Sequence, residues 1–343
     1  MADTFRAAVL LAPNEPLELF ELLIPELSDG QVLVRILFSG VCRSQLMEAK
    51  GNRGHDKWLP HLLGHEGIGI VERIGPRVTK VEVGQKVVVG WIAGKGFDAK
   101  PAAYISTDGI QINSGTATTF SEYSVVSENR LYLAPQGFQD SFLPLFGCAL
   151  LTGAGMALKH FNPNRHRNLL VLGFGGVGSS AAAFLHSFSD TRLVILEESE
   201  DRRSQARQMG FNNVYYLSEF LTLQKENSSP GFDLCIESAG SAETIELGFA
   251  LIRDSGQLVF ASHPVKGAKI SIDPFELIKG KSIQGSFGGD VQPDEDIDKI
   301  SSALLNSNLD LESMLGEVFK LEDVNRALDQ LELGRAGRPL IRM

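Results

Sequence analysis

Cysteine is scarce in this chain, at three residues in 343, and tryptophan is scarcer still, at two. Cys42, Cys148 and Cys235 are odd in number and far apart, which argues against a disulfide framework and points to a reducing cytoplasm. A basic excess is also missing. Against 42 acidic residues stand 32 lysines and arginines, a formal net charge of −10. That balance argues against nucleic acid or an anionic membrane as the main partner. The longest apolar stretch, at 168–185, is interrupted by glycine and serine and would make a poor membrane span. The opening MADTFRAAVL lacks the basic lead and apolar core of a secretory signal. Internal repeats, low-complexity tracts and coiled-coil heptads are absent. What is left is the composition of an ordinary soluble protein, long enough for two domains.

The chain is organised around residues 168–185, NLLVLGFGGVGSSAAAFL. An apolar run predicts a buried strand, Gly173, Gly175, Gly176 and Gly178 with Val177 a tight turn, and Ser179 onward a helix. Strand, G-x-G-x-x-G turn and helix in that order form the phosphate cradle of a dinucleotide-binding fold. Gly173 permits the turn, Gly175 lets a pyrophosphate approach the backbone, and Gly178 lets helix and strand pack closely. The helix N-terminus then offers its free N–H groups to the anion. Glu197 closes the next predicted strand, RLVILE, about twenty residues on. A carboxylate there accepts hydrogen bonds from the adenosine ribose and repels a 2′-phosphate, which favours NAD over NADP.

Upstream of residue 135 the chain alternates apolar and polar residues in FRAAVLLAP, LELFEL, QVLVRI, VEVGQKVVVGW and NRLYLAP. These predict antiparallel strands and a mostly β region, plausibly a partly open barrel. Within it, residues 92–119 are small, polar and glycine-rich, and read as a long surface excursion. From Leu143 the character changes. FGCALLTGAGMALKHF reads as a helix carrying Cys148 and Thr152, and an alternating β–α series follows, the pattern of a doubly wound parallel sheet. From about Gly288 the chain reads as helical, with a last short strand near 339–342.

Thiolate and imidazole are preferred zinc ligands, and a catalytic zinc keeps three protein ligands and one open position. Cys42, His65 and Cys148 could form such a set, but their wide separation makes two buried cysteines and a surface histidine the better reading from spacing alone. Cys235 reads as a small apolar residue of a buried strand. The histidines at 55, 61, 160, 166, 186 and 263 form no pair at ligand spacing. Among them, His55 and His61 are minor candidates for proton transfer.

Nearly end to end, the chain resembles the zinc-containing medium-chain alcohol dehydrogenases. GVCRSQL resembles that family's first ligand loop, GHEGIGIVERIG its second, and GCALLTGAGMALK the helix bearing the third, with GFGGVG, Glu197 and SFGG following at family spacing. The resemblance implies a GroES-like catalytic domain at 1–149 and 288–343 and a Rossmann domain at 150–287. It implies one catalytic zinc on Cys42, His65 and Cys148, with Glu66 as the nearby carboxylate. Ser44 matches the hydroxyl that accepts the substrate's proton. Arg43 and Arg338 match positions at the pyrophosphate, Thr152 one near the nicotinamide, and Arg202 one near the adenosine ribose. The implied reaction is hydride transfer between a primary or secondary alcohol and NAD. Alternatives are a dehydrogenase of a sugar, cyclitol or nucleotide-linked polyol, and a non-catalytic or zinc-free relative. A homodimer is the default assembly, with a tetramer the other option.

Three departures from the family pattern stand out. Residues 92–119 hold no cysteine, so no structural zinc is expected. Gln45 stands where the family commonly has Asp, so a neutral amide orients the ligand imidazole. Met47 replaces the relay histidine of some members, which leaves cofactor ribose, water or His55 to release the proton.

Overall fold

Strand Gln31–Gly40 is the spine of the first of two units in a computed structural model that describes residues 4–227, 231–262, 264 and 267–343. Its side chains alternate between two cores, as a period of two requires. Val32, Val34 and Ile36 pack with Val71, Val87, Val89, Val126 and Leu131, whereas Leu33 packs with Phe5, Val9, Leu22 and Tyr104. Each such side chain, fully buried, contributes about 1.5–3 kcal/mol. The spine changes partner along its length. Residues Gln31 to Arg35 pair with strand Tyr123–Ser127, and Phe38 to Gly40 pair with Arg338–Arg342, while Glu66–Ile74 flanks the other edge. The chain therefore delivers Cys42, Glu66 and Arg338 from the ends of three neighbouring strands.

This unit, Met1–Cys148 with Gln292–Glu295 and Leu315–Met343, carries a seven-stranded and a five-stranded sheet. The 92–119 stretch is more than the surface excursion its composition suggests. Ala103–Ile105 and Gln111–Asn113 form a hairpin at the edge of the five-stranded sheet, which sends Tyr104 and Ile112 into the core. Tyr104 accepts a hydrogen bond from Val125 N at 2.8 Å. Two three-residue strands diluted by glycine, serine and threonine leave too short a period-two signal to stand out. Strand Leu315–Lys320, parallel to Arg338–Arg342, likewise replaces part of the helical run expected after Gly288.

The second unit, Ala149–Val291 with Asp296–Met314, is built on six parallel strands. Numbered by appearance, starting with Asn168–Leu172, they lie in the order 3-2-1-4-5-6. That is the Rossmann order, with its switch point beside the first strand. Residues 296–314 associate with this unit, although the resemblance assigns all of 288–343 to the catalytic domain. Lys159 Nζ meets the buried Asp296 at 2.6 Å, Gln205 Nε2 donates to Ser313 O at 2.6 Å, and Asp310 N donates to Met209 O. No described helix is long and apolar enough to cross a membrane.

Candidate active site

Cys42 leaves the spine and precedes helix Arg43–Ala49, its carbonyl accepting from Gln45 N at 2.9 Å. His65 follows Gly64, whose φ of +91° only glycine adopts easily, and precedes strand Glu66–Ile74. The third thiol sits differently from the sequence expectation. Cys148 lies in the break between the 3₁₀ turn Leu143–Gly147 and helix Ala149–His160, with φ −149° and ψ −73°. Gly147 makes that placement possible, because a Cβ there would lie 2.5 Å from Val89 O and 2.8 Å from Glu66 Cα. The sulfurs of Cys42 and Cys148 and a ring nitrogen of His65 all lie within 4.8 Å of one another.

The electrostatics of this cluster follow from its burial. The Cys148 thiol hydrogen-bonds Cys42, which outweighs burial and, with the Arg338 charge, holds Cys42 well below the ordinary thiol range. Cys148 in turn is pushed well up by the same hydrogen bond and by burial. Of the two, Cys148 therefore holds its proton the more tightly. Burial works against a charged His65, but the hydrogen bond and charge of Cys42 prevail and raise it. Arg338 is also raised: burial opposes its charge, and Glu66 and the thiols more than offset that.

Around the cluster, Ser44 Oγ lies 3.4 Å from His65 Nε2. Glu66 is fully buried, and its Oε1 meets Arg338 Nε at 3.2 Å, while Arg338 Nη1 donates to Val41 O. Gln45 Oε1 accepts from Gly64 N, which turns the amide nitrogen toward His65 Nδ1 at 2.9 Å and Glu48 Oε2 at 3.3 Å. Gln45 thus orients the imidazole and leaves Nε2 facing Ser44. Two thiols, one of them held well below the ordinary range, one imidazole and a fourth side left to Ser44 are the donor set of a catalytic zinc, and the residues fit that ion.

In the second unit the helix begins at Gly176, three residues earlier than expected, with Gly175 before it and no side-chain cap. A Cβ on Gly178 would sit 2.0 Å from Gly173 O, while one on Gly175 would meet nothing within 4 Å. One glycine is therefore required by packing and the other borders open space, as a phosphate cradle needs. Glu197 is buried at the end of strand Arg192–Leu196, where Oε2 accepts from Phe174 N at 2.6 Å and Oε1 from Ser199 N at 2.8 Å. It ties the turn to the sheet while each oxygen keeps a further lone pair.

The remaining predicted residues are dispersed. Arg43 is exposed at the start of its helix, and Thr152 is buried within Ala149–His160. Arg202 is half-buried on helix Glu200–Met209, where its neighbour Arg203 donates to the carbonyls of Glu197 and Glu198. Arg338, expected at a pyrophosphate, meets Glu66 through Nε and Val41 O through Nη1. His55 is exposed, and His263 lies outside the described residues. The sequence drew no attention to Glu48 or Asp56, which flank the buried His61.

Comparison with known proteins decides the family. Residues 28–136 match the alcohol dehydrogenase GroES-like domain and residues 176–306 match zinc-binding dehydrogenase. The chain belongs to the zinc-containing medium-chain dehydrogenase family. Among curated members of this family, it is 26% identical to an alcohol dehydrogenase of Malus domestica, covering 98% of this chain and 97% of that one. It is 25% identical to S-(hydroxymethyl)glutathione dehydrogenase of Escherichia coli, over 98% and 99% of the two chains. A crystal structure of an alcohol dehydrogenase zinc-binding domain protein from Burkholderia ambifaria matches with a TM-score of 0.90 at 23% identity, over 99% of each chain. This medium-chain dehydrogenase is accordingly an oxidoreductase of the zinc alcohol dehydrogenase type.

Proposed function

We propose that the protein is a zinc-dependent, NAD-linked dehydrogenase that interconverts a primary or secondary alcohol and its carbonyl compound. The observation that carries this reading is the convergence of Cys42, His65 and Cys148, from three distant segments, within 4.8 Å. A zinc held there supplies the Lewis acidity that lets an alcohol lose its proton near neutral pH. Ser44 Oγ accepts that proton, and because Met47 offers no acceptor, the cofactor ribose, water or His55 takes it onward. Two electrons and the carbinol hydrogen leave together as hydride for the nicotinamide. Glu66 and Arg338 hold opposite charges behind the thiols, so the buried site keeps a balanced field.

Glu197 supports NAD over NADP, since a buried carboxylate beside the turn accepts from ribose hydroxyls and repels a 2′-phosphate. Glu197→Ser is expected to weaken NAD binding about 10- to 100-fold and to narrow the preference over NADP. Fluorescence titration with both dinucleotides measures it, and unchanged discrimination removes the assignment. A homodimer is supported by the outer strand Ser282–Gly285, whose only described sheet partner is Ile252–Phe260, and by the exposed Phe275, Ile278 and Phe287 nearby in sequence.

Metal analysis combined with turnover of alcohols and NAD tests the central reading. Cys148→Ala is expected to lose zinc and alcohol oxidation together while remaining folded. Full activity in zinc-free protein overturns the reading.

A further inference from the structure

His61 is a buried imidazole, 5% exposed, on the two-residue strand His61–Leu62. That strand is pinned on both sides, with Val9↔Leu62 and Leu10↔His61 on one edge and His61↔Asn113 on the other. Asn113 also clamps the segment before it, donating Nδ2 to Trp58 O at 2.7 Å and N to Pro60 O at 2.9 Å. The ring is therefore held by the sheet and by a residue of the 92–119 stretch.

Both ring nitrogens face groups that only accept. Nδ1 lies 2.9 Å from Leu62 O, so it carries a proton and donates. Nε2 points to Asp56 Oδ2 at 2.8 Å, with Glu48 Oε1 at 4.0 Å. The outer oxygens are already engaged: Asp56 Oδ1 accepts from Trp58 N, and Glu48 Oε2 accepts from Gln45 Nε2 and Arg53 Nη1. One nitrogen lone pair and two carboxylate oxygens, all within 4.8 Å of one another, thus converge on a single point that needs positive charge. A second proton on Nε2 or a metal ion can supply it. An Nδ1–H held by a backbone carbonyl, with Nε2 turned to carboxylates, is the arrangement of a metal-ligating histidine with its outer partner in place.

We propose that Glu48, Asp56 and His61 form a second divalent-cation site, of one nitrogen and two oxygen ligands, distinct from the cluster of Cys42, His65 and Cys148. The mixed donor set suits zinc or a similar transition-metal ion, and two carboxylates with a neutral imidazole balance its charge. Ligands in a tetrahedral zinc site are separated by roughly 3.3 Å, so the Nε2–Oδ2 pair opens by about half an ångström as the ion replaces the proton. Asp56 lies on the 51–58 segment between the helix and the strand, which leaves it free to give that distance. Glu48 belongs to both networks. Its Oε1 faces the proposed ion and its Oε2 accepts from Gln45, the residue that orients His65.

Equilibrium dialysis of the full chain against Co²⁺, with metal counted by plasma emission and thiolate-to-cobalt absorption read in the near ultraviolet, tests the proposal. Wild type is expected to take up two equivalents. His61→Gln should keep one with the thiolate absorption intact. A Cys42→Ser/Cys148→Ser double variant should keep one with that absorption gone, and the triple variant none. Asp56→Asn serves as a second probe should His61→Gln fold poorly, with the same loss of one equivalent. A single equivalent in wild type that His61→Gln and Asp56→Asn both retain, with full thiolate absorption, overturns the proposal and leaves the catalytic reading standing. One equivalent without thiolate absorption, lost in His61→Gln, upholds the second site and overturns the catalytic one.

Discussion

The glycine turn at 173–178 and the thiol cluster at Cys42, His65 and Cys148 are the two candidate ligand sites, and they are assembled in opposite ways. The turn lies within six residues, and its geometry is a local matter of backbone clearance: Gly178 touches Gly173 O, and Gly175 faces open space. The thiol cluster draws on three segments, the last more than eighty residues beyond the other two, and strand registers and the clearance at Gly147 bring them together. A contiguous site announces itself in sequence, because each residue's reason lies beside it. A site gathered from afar leaves only residue types, which other roles explain as well.

The largest effect that separates these two modes is expected within the turn itself. Gly178→Ala forces a methyl against backbone, and should cost about 3 kcal/mol of stability together with dinucleotide binding. Gly175→Ala, at φ −79° with nothing nearby, should change stability by a few tenths of a kcal/mol and still weaken dinucleotide binding. Thermal denaturation alongside NAD titration measures both. Equal melting losses in the two variants would break the division between packing and binding glycines.

At the thiol cluster the expected effect is one of reactivity. In metal-free protein Cys42 should alkylate below the ordinary thiol midpoint of about 8.5, because its folded pKa is lowered. Removing its main hydrogen-bond partner in Cys148→Ala should move that midpoint upward. Iodoacetamide labelling followed by mass spectrometry across pH reads it, and an unmoved midpoint would show that the two thiols do not share a proton.

The smallest effect concerns carboxylates that hold local backbone in each unit. Asp233 accepts from Arg167 N, Asn168 N and Arg253, and Glu128 from Thr79 N, Lys80 N and Phe97 N. Burial raises both carboxyls, but those donors together bring them below their usual range. A lowered folded pKa means stability that is complete above the unfolded value of about 4 and is lost as pH falls through the folded one. Asp233→Asn should cost about 1–3 kcal/mol at neutral pH and flatten the acid limb of a denaturant-measured stability profile. An acid limb as steep as that of wild type would assign the loss to other carboxylates.

Legibility followed the same line between local and assembled features. Hydrophobic alternation marked the spine strand and its partners, and the β–α series with its glycine turn marked the doubly wound parallel sheet. The hairpin inside 92–119 was hidden because three-residue strands carry one inward side chain each, Tyr104 and Ile112. Cys148 was placed inside a helix because composition does not show where a 3₁₀ turn hands over to an α-helix. The motifs of the resemblance, taken together and in order, assigned the metal ligands where spacing alone left them open.

By itself, the sequence determined the fold class, the position of the dinucleotide turn and the residue types available for chemistry, because these depend on periodicity and on neighbours within a few residues. Tertiary structure alone decided which groups share charge. It put Arg338 on Glu66, drove the proton affinities of Cys42 and Cys148 apart, turned the Gln45 amide toward His65, and closed Glu48 and Asp56 around His61. Those outcomes depend on distances between segments that only strand pairing and packing set, and electrostatic interaction falls too steeply with distance and solvent to be read before they are known.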